Sequence, residues 1–303
     1  TEVGSDTSEQ STTETVVSTF TIDLPFKVGG SASTGIVLEE NTQYPLTLSI
    51  SPNQAEVNLA SAGKPGWGNE DQLSNAENEK DLEYIATSKT FIVKTAAGLQ
   101  HLNKWMTGTK TTSEFKAKGF AGNRNITAVA GSADALAMNI TFMANITLDA
   151  PATGGSNWTA IGTAANPYTG TIDGNGKTLD GMVVNTVRGD NQGFVGRLGT
   201  NGQIKNLTFA DAQVASNEGN NAGIVAGINT GKVENCHTIG ISSVKASCAP
   251  YFADGIFVGG IVGYNVGTIT NCTNAAQVEA TDRDSKVGGI TGFNGNVVSV
   301  CGN

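Results

Sequence analysis

Four glycine-bearing segments that resemble one another constrain this chain more than any other feature. They begin at Gly193 (GFVGRLGTNGQIKNLTF), Gly223 (GIVAGINTGKVENCHT), Gly260 (GIVGYNVGTITNCTN) and Gly289 (GITGFNGNVVSVCGN), with starts 30, 37 and 29 residues apart. Self-similarity at a near-fixed period marks a repeat architecture, in which no copy buries its apolar face alone and each stacks on its neighbours. Glycine weakens an ordinary strand, so its recurrence among Ile and Val implies corners with positive φ and close passages of backbone. The copies also align slot by slot. Ile204, Val233, Ile269 and Val298 share one position, and Leu207, Cys236, Cys272 and Cys301 fall three residues later. Asn206, Asn235 and Asn271 precede that second slot, where the fourth copy has Val300. The simplest structure makes each copy one turn of a coil, with equivalent residues stacked about 4.8 Å apart. Asparagine then suits the left-handed corner and can hydrogen-bond its equivalents above and below. The expected fold is all-β, a right-handed parallel β-helix, its hand taken from the general rule for parallel crossovers.

What precedes the repeats divides into further parts. In AAGLQHLNKWMTG, Leu99, Leu102 and Met106 recur at helical spacing and Gly108 sits where a helix would stop. A helix placed before a long β region predicts a cap over the first rung, whose strand edges would otherwise recruit other chains. Upstream, FTIDLPFKV (residues 20–28) and YPLTLSI alternate apolar and polar letters, with Val57 and Leu59 as a shorter case and turn-rich stretches between them. This predicts a small antiparallel β-sandwich. Residues 1–15 read as a solvated leader, and the acidic NEDQLSNAENEKDLEY at 69–84 as a linker. The expected organisation is a leader over 1–15, a sandwich over 16–88 and a β-helix over 89–303.

Two resemblances add to this reading. GGIVGYNVGTITNC resembles the GLUG motif of bacterial surface and secreted proteins, and WTAIGTAANPYTGTIDGNGKTLDG is similar to the coil that commonly precedes such repeats. Together they cover about residues 90–303 and imply the β-helix architecture, while saying little about function. LEENTQYPLTLSISPNQAEVNLASAGKPGWGN resembles the fimbrillin-type domains of Bacteroidetes surface and pilus proteins. That implies a place on the cell surface, although the segment is shorter than a complete two-part pilin.

Composition narrows the function classes. A net charge of −9 disfavours nucleic acid and anionic lipid as partners. No apolar run reaches the roughly 18 residues of a membrane helix, so the chain is not expected to span a membrane, and a lipid anchor upstream is compatible with this. No secretory leader is visible, which leaves a cytosolic or an already trimmed chain. Stacked Cys236, Cys272 and Cys301 read as free buried thiols, with a disulfide or a metal as the alternatives; Cys236-His237 with distant Cys248 lacks the paired spacing of a zinc site. His101 and His237 have no evident partner. Asp173, Asn175 and Asp180 in IDGNGKTLDG read as a tight corner rather than a calcium loop. Glu234 and Asp211 read as isolated acids and TDRDSK at 281–286 as a solvated loop, so no catalytic residue, metal or cofactor is assigned. The longer second interval places extra residues near 242–257. Tyr251 and Phe252, beside Pro250, are there either ligand contacts or aromatics folded back onto the coil. The reading is a non-enzymatic, exported cell-surface protein, adhesin-like or a pilus accessory, whose rigid β-helix binds a glycan or a host or cell-surface protein. The alternative is a carbohydrate-active β-helix enzyme, a polysaccharide lyase or glycosidase. The final rung is expected to be covered by the first domain, by a second chain, or by a departure of residues 296–303 from the coil.

Overall fold

The computed structural model describes residues 81–116, 126–247, 256–281 and 284–303, together with the backbone of four earlier strands. The chain divides into two units, 1–76 and 77–303, and the division falls within the acidic stretch 69–84. In the first unit, β1 (Phe26–Val28) pairs antiparallel with β2 (Ser31–Ser33), and β3 (Leu46–Ser51) pairs antiparallel with β4 (Gln54–Leu59). The rest of the expected sandwich up to residue 80, and the leader, lie outside the described residues.

The second unit is a β-solenoid. It opens with an antiparallel hairpin of β5 (Leu82–Ile85) and β6 (Thr90–Val93). Among the described residues three short helices follow: α1 (Ala96–Met106), α2 (Thr112–Lys116) and α3 (Ala133–Leu136). Helix α1 starts at Thr95, whose side chain accepts a hydrogen bond from Gly98 N and so satisfies one orphan donor of the first turn. Its apolar side, Leu99, Leu102, Trp105 and Met106, is fully buried, and the Trp105 ring lies 5.6 Å from Phe91 and 5.0 Å from Phe115.

From β6 onward every strand pairing is parallel. β7 (Asn139–Phe142), β8 (Ile146–Thr147), β9 (Thr171–Asp180) and β10 (Val183–Val187) lead into turns of four strands each. One turn comprises β11 (Val195–Leu198), β12 (Gln203–Ala210), β13 (Gln213–Asn217) and β14 (Asn221–Gly223). The next is β15 (Ala226–Asn229), β16 (Lys232–Ile239), β17 (Ser243–Ala246) and β18 (Phe257–Gly259). Then come β19 (Val262–Asn265), β20 (Thr268–Thr270), β21 (Gln277–Ala280) and β22 (Lys286–Gly288), and last β23 (Thr291–Asn294) and β24 (Val297–Ser299). Equivalent strands stack into four sheets, of which the longest runs β5-β6-β7-β9-β12-β16-β20-β24.

Register confirms the slots read from the letters. Phe91, Ile140, Ile172, Ile204, Val233, Ile269 and Val298 are successive partners in one inward column. All but Val298 are fully buried. Leu207 pairs with Cys236, and backbone bonds Thr273 N to Cys236 O (3.2 Å) and Gly302 N to Cys272 O (3.0 Å) carry that column on to Cys301. The longer interval arises between β17 and β18: Gln213 is 30 residues from its partner Ser243, whereas Asn221 is 36 from Phe257.

The recurrent glycines serve close approach rather than positive φ. A Cβ on Gly263 would sit 2.7 Å from Ala222 N and 2.8 Å from both Gly227 O and Phe257 O, all of them backbone atoms that cannot swing away. Gly223 meets Gly263 N from the other side, at 2.7 Å. Two sheets of the coil thus pass backbone to backbone, which only glycine permits. The left-handed corners belong to the asparagines: φ is +54° at Asn206, +51° at Asn235 and +52° at Asn271. Each hands its side-chain amide to the rung before. Asn271 Nδ2 donates to Asn235 Oδ1, Asn235 Nδ2 to Asn206 Oδ1 and Asn206 Nδ2 to Asp173 Oδ1, each at 3.0 Å. A second ladder, fully buried at Asn229 and Asn265, runs from Asn229 Nδ2 to Asn265 Oδ1 and from Asn265 Nδ2 to Asn294 Oδ1, both 2.7 Å.

Residues 296–303 do not leave the coil. β24 pairs in register with β20, Gly302 bridges Thr273, and Asn303 Oδ1 accepts from Asn274 Nδ2 at 2.8 Å. Inward-facing Ile290, Val298 and Cys301 are only partly buried, and Val297 and Val300 are exposed. The expectation that this segment itself peels away to cover the last rung is therefore corrected: backbone pairing with the preceding rung holds it in place.

Candidate ligand-binding face

Tyr251 and Phe252 lie outside the described residues. The strands on either side of them are placed: β17 ends at Ala246 and β18 begins at Phe257. Phe257 opens a cluster of aromatic rings. Tyr264 and Phe293 are partners in successive rungs of one column, which runs Arg197, Ile228, Tyr264, Phe293. Their rings stack at 4.5 Å with planes 9° apart. The Phe257 ring stands 5.1 Å from Tyr264 and 5.4 Å from Phe293, tilted by 67° and 64°. Lys286, the partner of Phe257 one rung on, holds its ammonium 5.1 Å from the Phe257 centroid. All three rings are half-buried. Sequence reasoning passed over this cluster, although the signal was there: the letter before Asn265 and Asn294 is aromatic in both copies.

The geometry limits what such a cluster can do. Tyr264 and Phe293 spend one face each on the other, and Phe257 has a cation over its ring.

The outer side of the longest sheet carries charges. Lys205 Nζ reaches Asp173 Oδ2 at 3.3 Å, and Lys232 Nζ reaches Glu234 Oε2 at 2.6 Å. Gln203 Nε2 also donates to Glu234 Oε2, at 3.3 Å. Glu234 is therefore not isolated, because residues 29 to 31 positions apart in sequence become neighbours once the rungs stack. Asp211 is also engaged: its Oδ1 accepts from Ile241 N at 2.7 Å and so closes a corner. Burial works to raise the Asp173 carboxyl, but hydrogen bonds from Asn175 N, Asn206 and Lys205, with the Lys205 charge, hold it below the ordinary carboxylate range. A carboxyl so held stays ionised and makes a poor proton donor. The corner reading of IDGNGKTLDG holds: Asn175 and Gly176 have φ of +51° and +68°, and Asp173 Oδ1 accepts from Asn175 N at 2.9 Å.

Both histidines have partners. His101 Nε2 is 3.2 Å from Phe115 O with its ring stacked on Phe115, and His237 bridges Thr273 Oγ1 (2.8 Å) and Asn235 Oδ1 (3.1 Å). Cys236, Cys272 and Cys301 are free thiols, the first two fully buried. No helix among the described residues is long and apolar enough to cross a membrane.

Comparison with known proteins agrees with the fold. The GLUG motif family matches residues 257–279, which span β18 to β21. Halomucin of Haloquadratum walsbyi is 32% identical over 142 residues, which is 42% of this chain and 2% of that protein. A candidate Gly-rich membrane protein of Evansella cellulosilytica is 34% identical over 85 residues, 25% of this chain and 10% of that protein. The chain thus spans only a small part of the relatives it matches. Among solved structures, a candidate immunoglobulin A1 protease from Bacteroides ovatus aligns with TM-score 0.32 and 19% identity, over 54% of this chain and 68% of that one. That likeness is too distant to carry an argument about activity. In class, the molecule is an all-β solenoid with few helices. More particularly, it is a GLUG-containing solenoid, its motif seated on the rungs that carry the aromatic cluster.

Proposed function

We propose that this chain is the rigid presenting module of an exported, non-enzymatic surface protein, adhesin-like or accessory to a pilus, and that it binds a glycan or protein ligand. The carrying observation is the cluster of Phe257, Tyr264 and Phe293, which begins on the strand that follows the longer interval. In this reading Tyr251 and Phe252 also contact the ligand. A relative named as a membrane protein supports the surface setting. Helix α1 closes the first rung with Trp105 against Phe91, the coil is right-handed by the crossover rule, and the first unit is a fimbrillin-like spacer. Ionised Asp173 and ion-paired Glu234 do not form the split acid–base pair a glycosidase needs, which supports the non-enzymatic reading.

The test is a screen of the full chain against immobilised extracellular-matrix and cell-surface proteins and against a glycan array. Tyr264→Ala, Phe293→Ala and Tyr251→Ala are run beside the parent. A hit on either array that is lost in the ring variants at an unchanged melting temperature is the expected result, and the array that carries it names the ligand class. Hits that all three variants retain would place the ligand elsewhere on the coil.

A further inference from the structure

The thiol column sets three sulfurs at equivalent points of successive rungs. Each of the three cysteines makes the same pair of contacts. Towards its own rung, Sγ points at the carbonyl two residues back: Glu234 O at 3.4 Å for Cys236, Thr270 O at 3.3 Å for Cys272 and Ser299 O at 3.2 Å for Cys301. Towards the rung before, Sγ points at Ile204 O (3.7 Å), Val233 O (3.9 Å) and Ile269 O (3.9 Å), respectively. Side chains that repeat the same contacts on successive rungs are related by the rung translation, so neighbouring sulfurs lie about 4.8 Å apart. This is more than twice a disulfide bond of about 2.05 Å, in keeping with three free thiols. It is also close to twice a metal–sulfur bond of about 2.3 Å. An ion midway between two successive sulfurs would touch both, in a line, without moving the backbone.

We infer that this column is a binding site for a thiophilic monovalent ion of the Cu(I) type, held in linear two-coordination between successive cysteines. Thiolates select such soft ions. Among the described residues no three ligating side chains converge on one point, so the column offers pairs rather than a tetrahedral centre. Binding breaks two S–H bonds and forms two metal–sulfur bonds. Both protons leave to solvent, no electron moves, and the bridged unit carries one net negative charge. Cys272 N, 3.5 Å from Cys301 Sγ, points a donor at the outer pair. Cys301 is partly open to solvent and gives access, while Leu207 fills the same slot one rung before Cys236 and closes the column. Cys272 is a member of both possible pairs, Cys236–Cys272 and Cys272–Cys301.

The last point supplies the test. Full chain carrying Cys248→Ala as a common background is reduced and titrated anaerobically with Cu(I) against a chromogenic Cu(I) chelator. The background protein, Cys301→Ala and Cys236→Ala each keep an adjacent pair and should hold the ion. Cys272→Ala keeps two thiols but leaves them roughly 9.6 Å apart, and it should bind about 100-fold more weakly, as expected when a second ligand is lost. Cys272→Val provides a second variant, since Leu207 shows that the slot accepts an apolar side chain. Equal affinity of the Cys272 and Cys301 variants, or failure of the background protein to compete with the chelator, would overturn the inference.

Discussion

Replacing Val300 with Asn should stabilise the last rung. Val300 has φ of +52°, the same left-handed corner as Asn206, Asn235 and Asn271, and its side chain is 79% exposed. A β-branched residue gains nothing there from burial and carries a backbone cost of about 1–2 kcal/mol, most of which Asn escapes. An Asn at 300 would also be able to pass its amide to Asn271 Oδ1, as Asn271 does to Asn235 at 3.0 Å. An exposed neutral hydrogen bond adds about 0.5 kcal/mol. The sum is about 1.5 kcal/mol, or roughly 3–6 °C in melting temperature if the solenoid unfolds as one unit. Because rungs of a solenoid can open separately, amide exchange of residues 297–302 is the sharper assay and should slow about tenfold. Two controls separate the causes. Val300→Ala keeps the Cβ and should gain little, whereas Val300→Gly relieves the corner without the ladder bond and should fall between. If Val300→Asn exchanges as fast as the parent, the corner slot does not select its residue by φ and by ladder bonding, and the reasoning fails.

Three further outcomes are expected. Ile269→Asp buries an unpaired charge between Val233 and Val298 and should cost about 4 kcal/mol, read by chemical denaturation; an unchanged midpoint would remove Ile269 from the core column. Gly263→Ala drives a methyl into Ala222 N and two carbonyls and should cost about 3 kcal/mol, while Gly176→Ala, with open space around its Cβ, should cost only about 1 kcal/mol from its positive φ. For Asp173, a folded pKa held below the unfolded value of about 3.9 means stability that is present above that value and lost as pH falls through the folded one. Asp173→Asn should therefore melt below the parent at neutral pH and together with it in strong acid, and a gap that persists in acid would deny the linkage.

How far the letters carried depends on what each slot demands. The columns headed by Ile204 and Leu207 were legible because burial on a repeated rung permits few side chains, and the same permission recurs at a nearly constant interval. The asparagine corner was legible for the same reason. The glycines were legible as a device but not in their mechanism: positive φ and close approach both call for glycine, and only the packing of Gly263 against Ala222 and Gly227 separates them. The ladder of Asn229, Asn265 and Asn294, buried at its first two members, went unread although its letters recur at one slot, because a polar residue between glycines looks like an exposed turn. The charged group of Asp173, Lys205 and Glu234 depended on register that the letters do not give. Asp173 is the register partner of Lys205, but β9 carries extra residues at 174–176 opposite Asn206, so counting back from the later slots of β9 would misplace that pair.

Regularity in a stacked coil makes departures from it informative. A column of like residues is explained by stacking alone, since each rung repeats the environment of the one before. Arg197, Ile228, Tyr264 and Phe293 form a column whose character changes from charged to aliphatic to aromatic along the axis. An aromatic pair adds about 0.5–1.5 kcal/mol beyond its buried area, and a rung held by backbone ladders and asparagines has no special need of it. The change to aromatic side chains comes at Tyr264, within the stretch that matches the GLUG motif, and continues at Phe293 on the next rung. Stability alone would place rings anywhere along the column. Under the proposed function these rings, fixed by rigid rungs, are the recognition face.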